Sequence, residues 1–308
     1  VDCGGSDDAT PGAASTAKPA GAASAPTSQP NRGGTVNVSI SSDPANFDYQ
    51  TQFVWHQTAY MNRLLRYKTG ADVGPNSYEV IKDLATGWEQ PAPDQLVIKI
   101  DPSATFHKKG LPNGRAVTSD DVKASLELLA TDKPQYVYRY LTDFIDKIEA
   151  TAPDTVTMKL AYPTGLIFNT LAYFQSAIAP KEYIVRDGNL AAVDVGTGPF
   201  ILEKYQKGVG WSFKRNPDYF RKGLPYLDGI EMPLIVDANA TADAFRAGKL
   251  DTITPSLPLL DGLQQSLDKS SIKVQQEPGV GWAGLWPNVT KPPFNDLRVR
   301  QAISLALD

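Results

Sequence analysis

The sequence predicts a mixed α+β fold, and three observations lead to this expectation. The 308 residues are 42% hydrophobic and 21% charged, which is typical of a globular chain with enough apolar material for a core. Segments with the two-residue alternation of strands are interleaved irregularly with segments of helical spacing. No period of about 20–50 residues repeats, which argues against a repeat architecture.

The strands are predicted from short alternating runs bounded by turn residues. A proline-bearing segment, Gln90–Asp94, separates the arms of one hairpin, and Gly208–Gly210 separates the arms of another. The predicted strands are, in order, Thr35–Ile40, Trp88 with Leu96–Ile100 as the first hairpin, Val156–Leu160, Phe200–Tyr205 with Trp211–Arg215 as the second hairpin, and Ile230–Val236. We expect Trp88 and Trp211 to lie in the core.

The helices are predicted from apolar residues three and four positions apart. Thr118 and Asp121 give one helix a clear start, because a threonine cap and an acidic third helical residue satisfy the first free N–H groups. Pro180 and Gly248 end two others. The predicted helices are Thr58–Tyr67, the one that opens at Thr118, Leu166–Ala179, Ala240–Ala247 and Asn295–Asp308.

The final predicted helix carries an apolar stripe of Val299, Ile303 and Leu307. Such a face needs a partner layer, and the given sequence has no later segment to supply one. We therefore expect the natural chain to continue, and the stripe to be exposed or only partly packed in this length of chain.

Charge and cysteine content exclude several classes of protein. Lys and Arg total 30 against 34 Asp and Glu, so neither a nucleic-acid partner nor a polybasic membrane patch is expected. The sequence has no apolar run of about 18 residues that would predict a transmembrane helix. The single cysteine, Cys3, excludes an internal disulfide, a cysteine zinc site and an iron–sulfur cluster.

Two motifs match ligand-binding loops in part. Gly279–Gly284 fits G-x-G-x-x-G, yet Pro287 follows too soon for the helix that a dinucleotide site needs. An extended strand over Gln275–Leu285 is expected instead. Asp237–Asp243 has the oxygen spacing of a calcium loop without its glycine and its final glutamate, so a helix start is expected there. We expect no cofactor and no bound metal.

Catalytic residues are not indicated either, and we expect no enzyme. The motifs of serine hydrolases, P-loop ATPases and zinc proteases do not occur. His56 and His107 are the two histidines, and both are expected to be structural or surface residues, with His107 exposed. A pair of carboxylates for glycoside hydrolysis stays open, because no spacing singles one out.

The first 34 residues are predicted to be an anchor and a disordered tether. From Gly4 to Gly34 the chain has no Val, Leu, Ile, Met, Phe, Trp or Tyr to bury. Cys3, followed by two glycines, resembles the mature start of a bacterial lipoprotein, with Val1 and Asp2 left from a signal peptide. This resemblance implies lipidation of Cys3, a place in the cell envelope and membrane contact through the lipid alone. The alternative is an unmodified cysteine on a disordered tail.

Aromatic residues in irregular or glycine-rich backbone are candidate ligand contacts, because such segments often line pockets. The stretches around Phe53 and Trp282 have this character, and Tyr136 begins an alternating series that could form one wet face with Tyr138 and Tyr140. The candidate ligand-binding residues are Phe53, Val54, Trp55, Tyr136, Trp282, Ala283, Gly284 and Leu285. The alternative for each is an ordinary packing role.

Six segments, taken in order, resemble the peptide/nickel class, family 5, of bacterial extracellular solute-binding proteins. Leu84–Glu89, for example, is similar to the family's LA-x-x-W-E. The segments are Ser42–Asp48, Leu84–Glu89, Phe106–Val122, Gly196–Phe200 with Phe213–Phe220, Phe245–Asp251 and Pro292–Ile303. One departure, the insertion Lys108–Pro112, affects only a surface loop.

The resemblance implies a periplasmic-binding-protein-like fold of two lobes that close on a ligand. This chain is expected to hold mainly lobe one with an inserted subdomain. The expected division is residues 1–34 for anchor and tether, 35–50 plus 181–275 for the main part of lobe one, 51–180 for the inserted subdomain, and 276–308 for the hinge strand and the start of lobe two.

The resemblance also implies a function. The chain would belong to the substrate-binding receptor of an ABC importer, a monomer that captures oligopeptides or a related small solute outside the cytoplasmic membrane and delivers them to the permease subunits. Relatives also bind nickel chelates, sugars, opines and haem, so the ligand stays open. A secreted hydrolase and an envelope sensor or adhesive protein of the same fold are the alternatives.

Overall fold

The computed structural model describes residues 30–70, 73–74, 77–268, 270–276 and 284–306, and strands and helices are interleaved along them, as the α+β prediction requires. The strands are β1 (Thr35–Asn37), β2 (Leu65–Tyr67), β3 (Val80–Lys82), β4 (Ala85–Ala92), β5 (Gln95–Ile100), β6 (Ile145–Ala152), β7 (Thr155–Leu160), β8 (Phe200–Gln206), β9 (Gly210–Arg215) and β10 (Gly229–Pro233). The α-helices are α1 (Ser119–Leu129), α2 (Leu166–Ala172), α3 (Lys181–Asp187), α4 (Ala238–Arg246), α5 (Leu257–Ser266) and α6 (Leu297–Ala306). Short 3-10 helices cover Trp55–Ala59, Arg139–Leu141 and Phe174–Ser176.

One four-stranded sheet, the mixed sheet, has the order β1-β10-β9-β8. β1 pairs with β10 in parallel, whereas β9 runs antiparallel to both of its neighbours. Two parallel bridges extend the sheet beyond its strands, from Val38 to Thr252 and from Ile40 to Leu234. As a result β1, β8, β10 and the segment at Thr252 all run in one direction and end at the same edge.

The other four-stranded sheet, the antiparallel sheet, has the order β4-β5-β7-β6. Every pairing in it is antiparallel, and its strands come from residues 85–160. Leu96, Ile98 and Ile100 alternate inward from β5 and are fully buried, as the period of a strand requires. α1 packs across β6 and β7, and its predicted start is confirmed because Thr118 N donates to Asp121 Oδ2 at 2.8 Å.

Two apolar cores lie under these sheets. The first collects the inner faces of the antiparallel sheet, α1 and α2. The second lies under the mixed sheet around Tyr60, Trp211 and Phe213. The segment before β2 meets the segment before β8 at Gly198, whose N–H donates to Tyr60 O at 2.9 Å. A Cβ on Gly198 would lie 2.4 Å from the carbonyl carbon of Tyr60, so this approach requires a glycine.

A buried carboxylate ties the same junction together. Asp83 accepts hydrogen bonds from Arg221 Nη2 at 2.6 Å, from the backbone N–H of Arg63 at 2.9 Å and from Asn62 Nδ2 at 2.9 Å. Because Asp83 is almost fully buried, its charge depends on these donors rather than on water. Asn62 also accepts from Thr197 Oγ1 at 3.1 Å, which fixes the segment that carries Gly198.

The predicted helix Thr58–Tyr67 is wrong. A 3-10 helix ends at Ala59, and the chain then enters β2, whose Leu65 lies opposite Lys82 of β3. Leu64 O accepts from the N–H groups of both Asp83 and Ala85. Strand pairing with a segment about twenty residues later therefore overrides the apolar spacing that looked helical.

The predicted helix Leu166–Ala179 is too long. α2 ends at Ala172, and Tyr173 is extended with ψ of 146°. Thr170 O accepts a hydrogen bond from Ser176 Oγ at 2.6 Å, and Ile178 N donates to Asn62 O at 2.9 Å. These contacts hold the second half of the segment in a short 3-10 turn and an extended stretch.

Two expectations about exposure are also corrected. Trp88 is 37% exposed, because it lies on the edge strand β4; its ring centroid is 5.6 Å from that of Phe168. His107, expected at the surface, is buried. Its backbone N–H donates to Gly196 O at 2.8 Å, which holds His107 itself in the interior while the following Lys108 stays exposed.

The division into subdomains remains a prediction. Within the described residues, 85–160 build the antiparallel sheet, while 35–37 and 200–233 build the mixed sheet. Val54, Tyr60 and Met61, which lie inside the expected insertion 51–180, pack in the core of the mixed sheet. Residues 1–29, with Cys3, and the terminal Leu307 lie outside the described residues, and helix α6 has no buried residue. The last residues of the predicted tether are attached to the folded part, because Gly33 N donates to Tyr226 O at 2.9 Å and Gly34 O accepts from Asp228 N at 2.8 Å.

Candidate functional site

The carboxyl edge of the mixed sheet is the candidate site. In open sheets with parallel strands, ligands bind in the crevice outside the carboxyl ends of the strands. Here the chain leaves β1 through Ser39–Ser41 and leaves β10 through Leu234–Val236. It later runs beside the end of β1 at Thr252–Pro255. A cleft of about 480 Å³ opens between these three segments.

The lining of this cleft is neutral and rich in hydroxyl groups. It contains no titratable side chain, so acid–base chemistry has no group to use among the lining residues. The lining residues are Val38, Ser39, Ser41, Ile235, Val236, Ala238, Thr241, Thr252, Ile253, Thr254, Pro255, Ser256 and Leu259. Hydroxyls beside apolar walls suit a ligand that carries uncharged hydrogen-bonding groups, such as peptide amides.

Two helices begin at the rim of the cleft. Asp237 caps α4 by accepting a hydrogen bond from Ala240 N at 2.7 Å. Ser256 is the N-cap of α5, but its side chain makes no capping hydrogen bond. The Ser256 hydroxyl is therefore not used by the helix and faces the same cleft as Thr254.

The loop that follows β1, residues 41–57, is anchored to the same edge. Asp43 Oδ2 accepts a hydrogen bond from Gly208 N at 2.5 Å, in the turn between β8 and β9. Phe47 then packs on Tyr205 and Trp211, with ring centroids 5.3 and 5.0 Å apart. The loop thus runs from the cleft across the end of the mixed sheet.

The histidine of this loop is buried and neutral. The His56 ring lies 3.9 Å from Trp211, centroid to centroid. Burial lowers the pKa of His56 to about 4, against a smaller opposing effect of Asp43. Burial likewise lowers the pKa of His107 to about 4, although its Nε2 lies 3.0 Å from Gly198 O. At neutral pH neither ring carries a charge that could attract a ligand.

The predicted ligand residues of the loop differ in exposure. Phe53 is 59% exposed, and its ring meets Phe174 edge-on at 4.9 Å. Val54 is fully buried in the core of the mixed sheet. The side chain of Trp55 lies outside the described residues. Ligand contact at these three positions stays a prediction.

The other predicted ligand residues are scattered. Tyr136 is buried, and its hydroxyl donates to Gly188 O at 3.4 Å, so the wet face expected for it is wrong. Trp282 and Ala283 lie outside the described residues, together with most of the predicted strand Gln275–Leu285. Gly284 and Leu285 are exposed. A ligand role for any of them remains a prediction.

The hydroxyl residues of the cleft were missed from the sequence. Ser39 and Ser41 follow β1, and Thr252, Thr254 and Ser256 follow the end of α4. Small polar residues directly after a strand were the available signal, since strand ends are where such sites form. The sequence carries no signal that Thr252 lies beside the end of β1, because the two segments are far apart along the chain.

Metal and membrane features can be judged for the described residues. Among them, no group of three or more His, Cys, Asp or Glu side chains is placed to hold a metal ion. In that same part of the chain, no helix has the length and apolar character needed to cross a bilayer.

A family comparison adds to this geometry. The family model described as bacterial extracellular solute-binding proteins, family 5 Middle, matches residues 79–308, which is more than half of the chain. The chain belongs to this family. The resemblance inferred from the six ordered segments is therefore confirmed.

Curated proteins are similar to this chain over most of its length. A probable di/tripeptide-binding protein 5 of Pseudomonas aeruginosa is 26% identical over 91% of this chain and 56% of its own length. The oligopeptide-binding protein AppA of Bacillus subtilis is 27% identical over 91% of this chain and 51% of its own length. The chain thus spans about half the length of the curated relatives it matches.

Solved structures of family 5 type confirm the predicted periplasmic-binding-protein-like, mixed α/β fold. AppA from Bacillus subtilis, in complex with a nonapeptide, superimposes with a TM-score of 0.75 at 22% identity, over 91% of this chain and 55% of that one. The binding protein MoaA from A. tumefacien R10, in complex with mannopinic acid, gives 0.70 at 25% identity, over 91% and 56%.

Proposed function

We propose that this chain forms the first lobe of a solute receptor that serves an ABC importer, with peptides as the ligand. The observation that carries the proposal is membership of family 5 together with relatives named as peptide-binding proteins. The neutral, hydroxyl-lined cleft supports it, because peptide groups need hydrogen-bond partners rather than charges. The relatives are binding proteins, which gives the hydrolase alternative no support.

In this proposal the cleft supplies one of two walls. A pocket commonly buries about 70–90% of a ligand's surface, which a single open wall does not achieve. The second wall would come from a second lobe, and ligand contacts to both lobes would shift the population toward the closed form. The receptor would act as a monomer and release its ligand to the permease subunits without chemical change.

Calorimetry of the full-length protein tests the proposal. Di-, tri- and tetrapeptides are compared with a nickel–histidine chelate and with a saccharide such as maltotriose. Saturable binding of at least one peptide, with the peptide recovered intact by mass spectrometry, is the expected result. Binding of the chelate or the saccharide alone would replace the proposed ligand, and cleavage of the peptide would contradict a receptor role.

The place of the receptor is part of the proposal. Cys3 with its two following glycines supports a lipid anchor, and the tether predicted after Cys3 would let the folded part move away from the membrane surface. Expression of the wild type and of Cys3→Ser, followed by membrane fractionation, tests this. The variant is expected in the soluble fraction; equal membrane retention of both forms would contradict the anchor.

A further inference from the structure

Three arginines gather around one buried carboxylate where β2 meets β3. Asp83 Oδ1 accepts from Arg221 Nη2 at 2.6 Å, and Asp83 Oδ2 accepts from the backbone N–H of Arg63 at 2.9 Å. Arg66 lies opposite Ile81, which precedes Asp83 by two residues in the chain. Arg63, Arg66 and Arg221 are here called the arginine cluster.

A bend in the chain turns two of these arginines away from the core. Leu64 and Leu65 are consecutive, yet both are fully buried in the core of the antiparallel sheet. A regular strand sends only one of two consecutive side chains inward. The chain bends at Leu64, and the flanking Arg63 and Arg66 are half-buried outside that core.

The side chains of Arg63 and Arg66 lack acceptors. The Nε group of each is shielded from solvent, and among the described residues neither has a hydrogen-bond partner. Burial lowers the pKa of Arg63; Asp83 opposes this effect, and the positive charges of Arg66 and Arg221 lower the pKa further. Buried charged donors without acceptors cost free energy, so an anion at this point would supply what the described residues do not.

The nearby acidic side chains are engaged elsewhere. Asp218 pairs with Lys108 at 3.1 Å, and Glu79 pairs with Lys68 at 3.6 Å. Asp83 carries a single negative charge, which Arg221 binds directly. The cluster therefore holds three guanidinium charges against one carboxylate, which leaves a positive excess equal to the charge of a dianion.

We propose that the arginine cluster binds a small oxyanion, and that inorganic phosphate is the ligand that fits its charge. Guanidinium groups present N–H donors in a planar fork that matches phosphate oxygens, and these charge-assisted hydrogen bonds are strong. Because the Nε groups are shielded from solvent, the cluster suits a free ion better than a phosphate group held in a bilayer surface. None of the three arginines lines the hydroxyl-rich cleft, so this site is additional to the proposed peptide site.

Calorimetric titration of the full-length protein with sodium phosphate, at an ionic strength kept constant with sodium chloride, tests the proposal. Saturable binding to the wild type is expected. Arg63→Gln and Arg66→Gln each remove one charged group, and each should weaken phosphate binding about tenfold or more. Arg186→Gln is the matched control, because Arg186 pairs with Asp187 at 2.5 Å on α3; its phosphate affinity should equal that of the wild type.

Thermal unfolding of the same proteins gives a second measurement. Without phosphate, Arg66→Gln should be at least as stable as the wild type, because it removes a half-buried charge that lacks a partner. With phosphate, the wild type should unfold at a higher temperature than before, while Arg66→Gln should shift much less.

Three results would overturn the inference. The first is the absence of saturable phosphate binding to the wild type, and the second is wild-type affinity in both arginine variants. The third is a loss of stability of Arg66→Gln without phosphate, which would show that this guanidinium already has a partner inside the protein.

A vesicle experiment separates a free anion from a membrane surface. Full-length Cys3→Ser protein is mixed with phosphatidylglycerol vesicles and with phosphatidylcholine vesicles. Binding to the anionic vesicles that Arg66→Gln abolishes and free phosphate does not compete would reassign the cluster to lipid headgroups. No selective vesicle binding is expected. Peptide binding in the cleft is measured separately, so failure of this inference leaves the proposed function standing.

Discussion

The two four-stranded sheets are built in opposite ways. The antiparallel sheet consists of two hairpins, β4–β5 and β6–β7, each joined by two residues, and β5 pairs with β7 between them. The mixed sheet joins Thr35 to Gly229 in parallel and then adds Thr252 beside Val38. The mixed sheet brings these distant segments to one edge, and the candidate site lies there. Local pairing gives a rigid support, whereas non-local pairing assembles the surface that meets a ligand.

The largest effect is expected at the contact between Gly198 and Tyr60. Gly198→Ala would place a Cβ 2.4 Å from the carbonyl carbon and 2.7 Å from the Cα of Tyr60. Both are backbone atoms, so the clash can be relieved only by moving the chain itself. We expect a loss of about 4 kcal/mol or more in the free energy of unfolding, measured by urea denaturation.

Gly87→Ala in β4 is the matched control from the antiparallel sheet, because nothing lies within 4 Å of its Cβ position. It should change stability by less than about 1 kcal/mol. If both variants unfold at the same urea concentration, the junction is not the tight contact described above.

The next effect concerns the buried carboxylate of the junction. Asp83→Asn removes the charge that pairs with Arg221 at 2.6 Å. The largely buried guanidinium then keeps the backbone carbonyl oxygens of Lys82 and Asp83 as acceptors but has lost the carboxylate. A destabilisation of about 3 kcal/mol is expected by chemical denaturation. Asp243→Asn, which breaks a largely exposed pair with Arg246, should cost no more than about 0.5 kcal/mol. A cost for Asp83→Asn as small as that of Asp243→Asn would contradict the role given to Asp83.

A smaller, pH-dependent effect is expected at His107. Its pKa of about 4 in the folded protein lies below the ordinary 6.5, so the unfolded chain binds more protons between these values. The stability that the neutral ring provides is therefore complete above pH 6.5 and is lost as the pH falls toward 4. Between pH 7 and pH 5 this amounts to about 2 kcal/mol.

The measurement compares wild type with His107→Gln by urea denaturation at both pH values. The wild type should lose about 2 kcal/mol more than the variant over this interval. His56 is present in both proteins, so its own titration cancels in the difference. Parallel pH dependence of the two proteins would show that His107 is not held neutral by burial.

Sequence reasoning succeeded where the determining contacts are local. The β4–β5 hairpin and the Thr118 cap of α1 depend on residues that are neighbours in sequence, and both were confirmed. It failed at His107, because the groups that bury it follow about ninety residues later. The candidate site shows the same limit. The sequence pointed to the loop of Phe53, but the hydroxyls of Ser41 and Thr254 share a cleft only through the parallel bridges of the mixed sheet.

The central claim is that the carboxyl edge of the mixed sheet forms one wall of a peptide site. The most direct measurement is calorimetry of the full-length protein with the tightest-binding peptide, comparing Thr254→Trp in the cleft with Thr86→Trp on the antiparallel sheet. Both threonines are exposed, so both variants should fold. The account predicts that Thr254→Trp weakens binding at least tenfold, while Thr86→Trp binds as wild type. Wild-type affinity in Thr254→Trp, or an equal loss in both variants, would contradict it.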